Sequence, residues 1–245
     1  IQTDDLNDLV LDNESGARRV SGFPGKIVFT IALSWSFFQL WIASPFSFYL
    51  AEYFDFFKII ILDATRSRYI HLAFALSLVF LSFPATHKSP RNFIPKTDCL
   101  LAVLAVICSL YLLVFYQDLS ARSGMPTILD VCIALLGILI LLEATRRALG
   151  PPLVVISFVF LLYTVAGQYM PDIIQHKGHN LTKIASHQWL TTEGVFGIAL
   201  GVSTNFVFLF VLFGALLEKA GAGNYFIKVA FSLLGHLKGG PAKAA

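Results

Sequence analysis

The sequence predicts an all-α protein: a polytopic helical membrane protein with about six to seven transmembrane helices and additional interfacial amphipathic helices. Of its 245 residues, 56% are hydrophobic and only 13% are charged, whereas about a quarter of the residues in a soluble domain are charged. The apolar residues are also collected into several uncharged runs of nearly 20 residues. One helix needs about that length to cross a bilayer.

The first part of the chain combines a polar tail with four predicted spans. Residues 1–26 contain five acidic residues ahead of three basic ones, which predicts a solvated and mostly disordered cytoplasmic tail, with partner binding as the alternative. Four apolar runs predict spans at residues 27–44, 70–85, 99–116 and 127–142. Between the first two spans, Glu52, Asp55 and Lys58 share one side of an otherwise apolar segment. This pattern favours an amphipathic helix that lies in the interface.

The positions of two polar residues in these spans predict their roles. His71 stands near the start of the second span and is predicted to be an interfacial polar group rather than a ligand. Asp130 lies in the first turn of the fourth span, where the helix dipole favours an acid. The alternative for Asp130 is a carboxylate that relays ions.

A boundary follows the fourth span, and two more spans follow the boundary. Residues 143–147 are charged and should leave the membrane, and Gly150 with two prolines then marks the boundary. A fifth span is predicted at 152–170 and the longest at 194–217, capped by residues 191–193. A glycine-containing turn at 220–223 should lead to a second amphipathic helix, capped by Asn224 and extending to residue 237.

The loop charges predict the orientation. With the N-terminus inside, the segments before residue 150 place eight basic residues in the cytoplasm and four outside. The inside set is Arg18, Arg19, Lys26, Lys88, Arg91, Lys96, Arg146 and Arg147, and the outside set is Lys58, Arg66, Arg68 and Arg122. A cytoplasmic N-terminus is therefore expected.

Residues that could carry chemistry are few. We find no phosphate-binding loop with the required Lys-Ser/Thr ending, and no constellation of acid, base and nucleophile, so we predict no catalytic residues and no enzyme. His176, His179 and His187 occur in the polar stretch before the longest span, but a third ligand at a sensible spacing is missing from the pattern. No metal site is predicted. The net charge of +3 gives no support for a nucleic-acid partner.

One polar cluster stands inside a long span. Ser203, Thr204 and Asn205 are consecutive within the sixth run, and polar side chains in lipid need partners. They could form hydrogen bonds between helices. Alternatively, they could line a substrate or ion pathway, and these three residues are the candidate site of the sequence.

Three segments of the C-terminal region carry a family resemblance. They are TEGVFGIALGVSTNFVFLFVLFG, FGALLEKAGAG and LLGHLKGGPAK. Together they resemble the fused membrane permease of TRAP (tripartite ATP-independent periplasmic) transporters, in the branch that works with TAXI-type solute-binding proteins.

The resemblance implies a domain organisation and a function. Residues 27–148 would be a four-helix domain like the small (Q-type) subunit. Residues 149–245 would begin a transport domain like the large (M-type) subunit, truncated before its first re-entrant hairpin. The protein would be a multi-pass component of the cell inner membrane that imports a small anionic solute with sodium. Its partners would be a periplasmic solute-binding protein, the lipid bilayer and the remainder of the transport domain, with sodium as coupling ion and no cofactor. The alternative is a non-transporting scaffold or assembly subunit.

Overall fold

The computed structural model describes residues 16–18, 20–54, 61–86 and 89–234. All regular elements in these ranges are helical, which confirms the predicted fold class. The helices are α1 (Gly22–Ala43), α2 (Phe46–Tyr53), α3 (Ala64–Ser82), α4 (Lys96–Val114), α5 (Tyr116–Ala121), α6 (Ile128–Leu149), α7 (Pro151–Ala166), α8 (Leu181–Ala185), α9 (Ile198–Val202), α10 (Phe208–Lys219) and α11 (Ala222–Leu234). Turns of π-helix occupy Ser186–Leu190 and Ser203–Val207.

Five helices in the described residues are long and apolar enough to cross a membrane. They are α1, α4, α6, the extended α7 (Pro151–Tyr169) and the helix Ile198–Lys219. The prediction of six to seven also counted the second run and the helix after residue 220. The second run forms α3, which has 19 residues but begins with the polar sequence ATRSR. The last helix, α11, is described over 13 residues, up to Leu234, and is not among these five.

The described chain forms two compact units that divide between Gly201 and Val202. In the first unit, α3 packs along α4 and also against α1 and α6. Small residues on these helices allow the backbones to approach closely, which is the usual solution for helices packed in a membrane. The buried alanines among them are Ala73, Ala102, Ala105, Ala134 and Ala144. The predicted division between residues 148 and 149 stays a prediction.

The break between α6 and α7 follows from local sequence. Gly150 has a φ of +86°, a conformation that glycine adopts without a Cβ penalty. Pro151 and Pro152 then open α7, where the missing N–H of proline is harmless. The helix is longer than the span predicted at 127–142, because α6 continues through residues 143–147 to Leu149; the exit of these charged residues from the membrane stays a prediction. Glu143 accepts hydrogen bonds from Arg146 and Arg147 along the same helix, and these pairs support the extra turns.

The segment between α7 and α9 packs into the helices of the first unit, to which it belongs. Trp189 and Phe196 are both fully buried, and their rings meet edge to face with centroids 5.2 Å apart. The indole Nε1 of Trp189 donates to the carbonyl oxygen of Cys108 at 3.3 Å. Arg68 donates to the carbonyl oxygen of Phe196 at 2.9 Å. This insertion ties residues 181–201 to the four-helix part of the chain.

The predicted start of the longest span at residue 194 is wrong. The helix begins at Ile198, and residues 191–197 form turns. The Val195 amide donates to the carbonyl oxygen of Gln188 at 2.8 Å. A Cβ at Gly194 would lie 2.6 Å from the Gln188 carbonyl carbon, so this turn requires glycine. Thr191 accepts from the amide of Glu193 at 3.3 Å instead of capping the span.

The two ends of the described chain also differ from expectation. Arg18 is buried and α1 begins at Gly22, so this part of the tail packs on the protein, while residues 1–15 and 19 lie outside the described residues.

The turn before α11 is confirmed by Gly221 at a φ of +77°. Asn224 is not its cap, because α11 begins two residues earlier. The first part of the segment predicted to lie in the interface forms α2, with Glu52 exposed, and its interfacial position stays a prediction. Residues 55–60 and 235–245 lie outside the described residues.

Candidate functional site

The candidate site residues lie on a turn of π-helix. Ser203–Val207 form this turn within the candidate span Ile198–Lys219. Thr204 is 1% exposed, Ser203 is half-buried and Asn205 is exposed. The three side chains therefore point in different directions, as the helical rotation between neighbours requires. Turns of π-helix are rare and are frequent at functional sites.

This turn lies nearer the start of its helix than the sequence predicts. The predicted span starts at residue 194 and would place the turn near the bilayer centre. Because the helix starts at Ile198, Asn205 stands about 10 Å along a helix of about 33 Å, at a rise of about 1.5 Å per residue. The cluster therefore lies in the first half of the span.

An ion-pair cluster at one end of the first unit, with three buried and two partly exposed members, is absent from the sequence prediction. We call it the Asp98 cluster; its members are Arg18, Asp98, Glu143, Arg146 and Arg147. Asp98 accepts from Arg18 and from Arg147 at 2.9 Å. Arg147 also lies over the ring of Phe80, with its guanidinium carbon 5.0 Å from the centroid. The cluster joins the segment before α1 to the start of α4 and the end of α6.

Asp130 anchors the opposite end of α4 and α6. Its carboxylate accepts from Tyr111 at 2.5 Å, from Arg122 at 3.0 Å and from the Thr127 amide at 2.8 Å. Thr127 and Asp130 form a reciprocal capping box, so Asp130 lies in the first turn as predicted. With this many partners, the carboxylate serves to fix the helix start. A role as an ion relay has no support in this geometry.

His71 packs between helices, and the interfacial depth predicted for it stays a prediction. His71 is 3% exposed and Gln39 is fully buried. The Gln39 amide bonds to Nδ1 of His71, and the Trp35 indole donates to the same nitrogen at 3.3 Å. These three polar side chains join α1 to α3. Such polar contacts between helices are one means of association in a membrane.

The histidines of the polar stretch lie in loops and at the π-turn, not on one helix as the metal hypothesis requires. His176 bonds to the Tyr163 carbonyl oxygen at 3.1 Å, and its ring lies 6.1 Å from that of His179. Desolvation and the nearby Lys183 lower the pKa of His179. In the described part of the chain, no group of three or more His, Cys, Asp or Glu could hold a metal ion.

The candidate site lies in the part of the chain that matches a known protein family. Residues 136–245 match the family model described as "Tripartite ATP-independent periplasmic transporter, DctM component". No curated protein and no solved structure matches the chain. The match covers just under half of the chain, from the middle of α6 onward, and includes Ser203, Thr204 and Asn205. It supports the TRAP permease family, whose members are membrane transport components rather than enzymes.

Proposed function

We propose that this chain is part of the membrane component of a TRAP-type secondary transporter that imports a small anionic solute together with sodium. The observation that carries the proposal is the match of residues 136–245 to the permease component. The five helices of the described residues that are long and apolar enough to span a membrane agree with such a role. The same proposal includes the fused arrangement with a Q-type domain at residues 27–148 and a position in the inner membrane.

We further propose that a periplasmic solute-binding protein of the TAXI type delivers the solute. Support comes from the sequence resemblance of residues 192–214 to that branch. Under the predicted orientation, the Asp130 end of the first unit faces the periplasm. A polar cleft of about 690 Å³ lies at that end. Its lining includes Ser123, Thr182, Lys183 and Glu193, side chains that suit a polar docking partner.

In this proposal, Asn205 contributes to the solute or ion pathway. Its side chain is exposed, and an amide has the largest hydrogen-bonding capacity of the three candidate residues. Contact with lipid alone would be energetically unfavourable for the amide of that side chain. We therefore place it on a polar surface of the working transporter. Thr204, which is 1% exposed, supports the turn from the buried side.

Uptake into proteoliposomes tests the function. The transporter that contains this chain is reconstituted, and its binding protein is loaded with a radiolabelled carboxylate that it binds. We expect accumulation only when both an inward sodium gradient and the binding protein are present. Collapse of the gradient with a sodium ionophore should abolish accumulation. If loaded binding protein and a sodium gradient produce no uptake, the scaffold alternative replaces transport.

A further inference from the structure

A long apolar groove runs between α1, α3 and α4 in the first unit. It encloses about 520 Å³, a volume suited to an extended hydrocarbon chain. Ile27 and Ile31 line it on α1, Phe74 lines it on α3, and Val103 and Ile107 line it on α4. The groove exists because α1 and α4 both pack on α3, which leaves a wedge between them. Two of its helices, α1 and α4, are candidate membrane spans.

Basic side chains stand at one end of this groove. Lys96 begins α4 and precedes two groove residues, Cys99 and Val103, by three and seven positions. These spacings place all three on one face of the helix. Lys96 is exposed, and so is Lys26, which precedes the groove residue Ile27 on α1. The acids that the described residues place at this end, Asp98 and Glu143, are paired with three arginines, Arg18, Arg146 and Arg147. The charge that the groove end presents is therefore positive.

We propose that this groove binds an anionic phospholipid of the bilayer, with an acyl chain between α1 and α4 and the phosphate near Lys96 and Lys26. An apolar volume inside the membrane excludes water-soluble ligands, and the two lysines select a negative headgroup. The lipid would fill the wedge and add contacts between α1 and α4, both of which pack on α3. This role is independent of the solute and of sodium coupling.

Native mass spectrometry of the protein released from nanodiscs tests the proposal, with equal amounts of phosphatidylglycerol and phosphatidylcholine. We expect one retained phosphatidylglycerol. Val103→Trp fills the groove and should abolish retention. Leu100→Trp is the matched control, because Leu100 is equally exposed on α4 but does not line the groove, and it should retain the lipid. Lys96→Ala should lower the preference for phosphatidylglycerol about fivefold, the effect of one basic residue at a membrane surface.

Two results would overturn the proposal. One is equal lipid retention by Val103→Trp and Leu100→Trp, which would show that the bound lipid lies elsewhere. The other is retention without preference for phosphatidylglycerol in the unmodified protein, which would show that the lysines do not select the headgroup. Absence of any retained lipid would also reject it and would indicate that a protein segment occupies the groove.

Discussion

The contact between Gly137 and Trp189 gives a quantitative test of the insertion of residues 181–201. A Cβ added at Gly137 would lie 2.8 Å from the indole Cδ2 of Trp189 and closer still to two other ring atoms. The indole is fully buried and rigid, so it cannot turn aside. We expect Gly137→Ala to lose about 1–3 kcal/mol through overpacking. The gain in helix propensity from glycine to alanine, about 0.5–1 kcal/mol, offsets part of that loss.

Gly214→Ala is the matched control. Gly214 lies inside α10, and a Cβ there would meet nothing within 4 Å. The propensity gain is common to both variants, so their difference in unfolding free energy isolates the clash. We expect that difference to be about 1–3 kcal/mol, measured by reversible unfolding in mixed micelles. Equal stabilities would refute the insertion.

A second readout follows Trp189 directly. With Trp35 and Trp41 replaced by Phe, the emission of the remaining tryptophan reports its burial. In Gly137→Ala the emission should shift to longer wavelength and become accessible to a soluble quencher. In Gly214→Ala it should not change. An unshifted emission in a destabilised Gly137→Ala would mean that the indole does not pack on α6.

Three further predictions concern charge, transport and orientation. Asp98→Asn leaves buried Arg18 without its acid and Arg147 with Glu143 alone, and it should cost about 3–5 kcal/mol of unfolding free energy. The exposed pair of Asp63 with Arg66 makes Asp63→Asn the control, at about 0–1 kcal/mol. Similar losses in the two variants would contradict the burial of Asp98. Asn205→Leu should lower sodium-dependent uptake several-fold at unchanged folded yield, with partial recovery in Asn205→Gln; unchanged uptake would make Asn205 a packing residue. Cysteines placed at Ser89 and Ser120, in a background without the native cysteines, should react with an impermeant periplasmic reagent only at Ser120, and the reverse pattern would invert the topology.

The local features of this protein could be predicted from its sequence. Run length and hydropathy indicate the helices α1, α4, α6 and α7, because crossing a bilayer depends on consecutive apolar residues. Gly150 with its two prolines, and Gly221, identify helix breaks, because the backbone angles that they favour are properties of single residues. Asp130 is assigned to the first turn of its helix for the same reason, since a cap is a contact between residues close in sequence.

Contacts between distant residues required the tertiary structure. Asp98 meets Arg18 across 80 positions and Arg147 across 49, and the sequence pattern of a lone acid near a span does not name its partners. Trp189 and Gly137 are likewise far apart in the chain. The turns at residues 191–197, which follow Trp189, place the start of the longest span at Ile198 instead of residue 194. The burial of α3, and the exposure of Asn205 beside buried Thr204, depend on how the helices pack. Helix formation follows local sequence, whereas packing decides which faces are covered, and that choice determines which polar residues remain available for function.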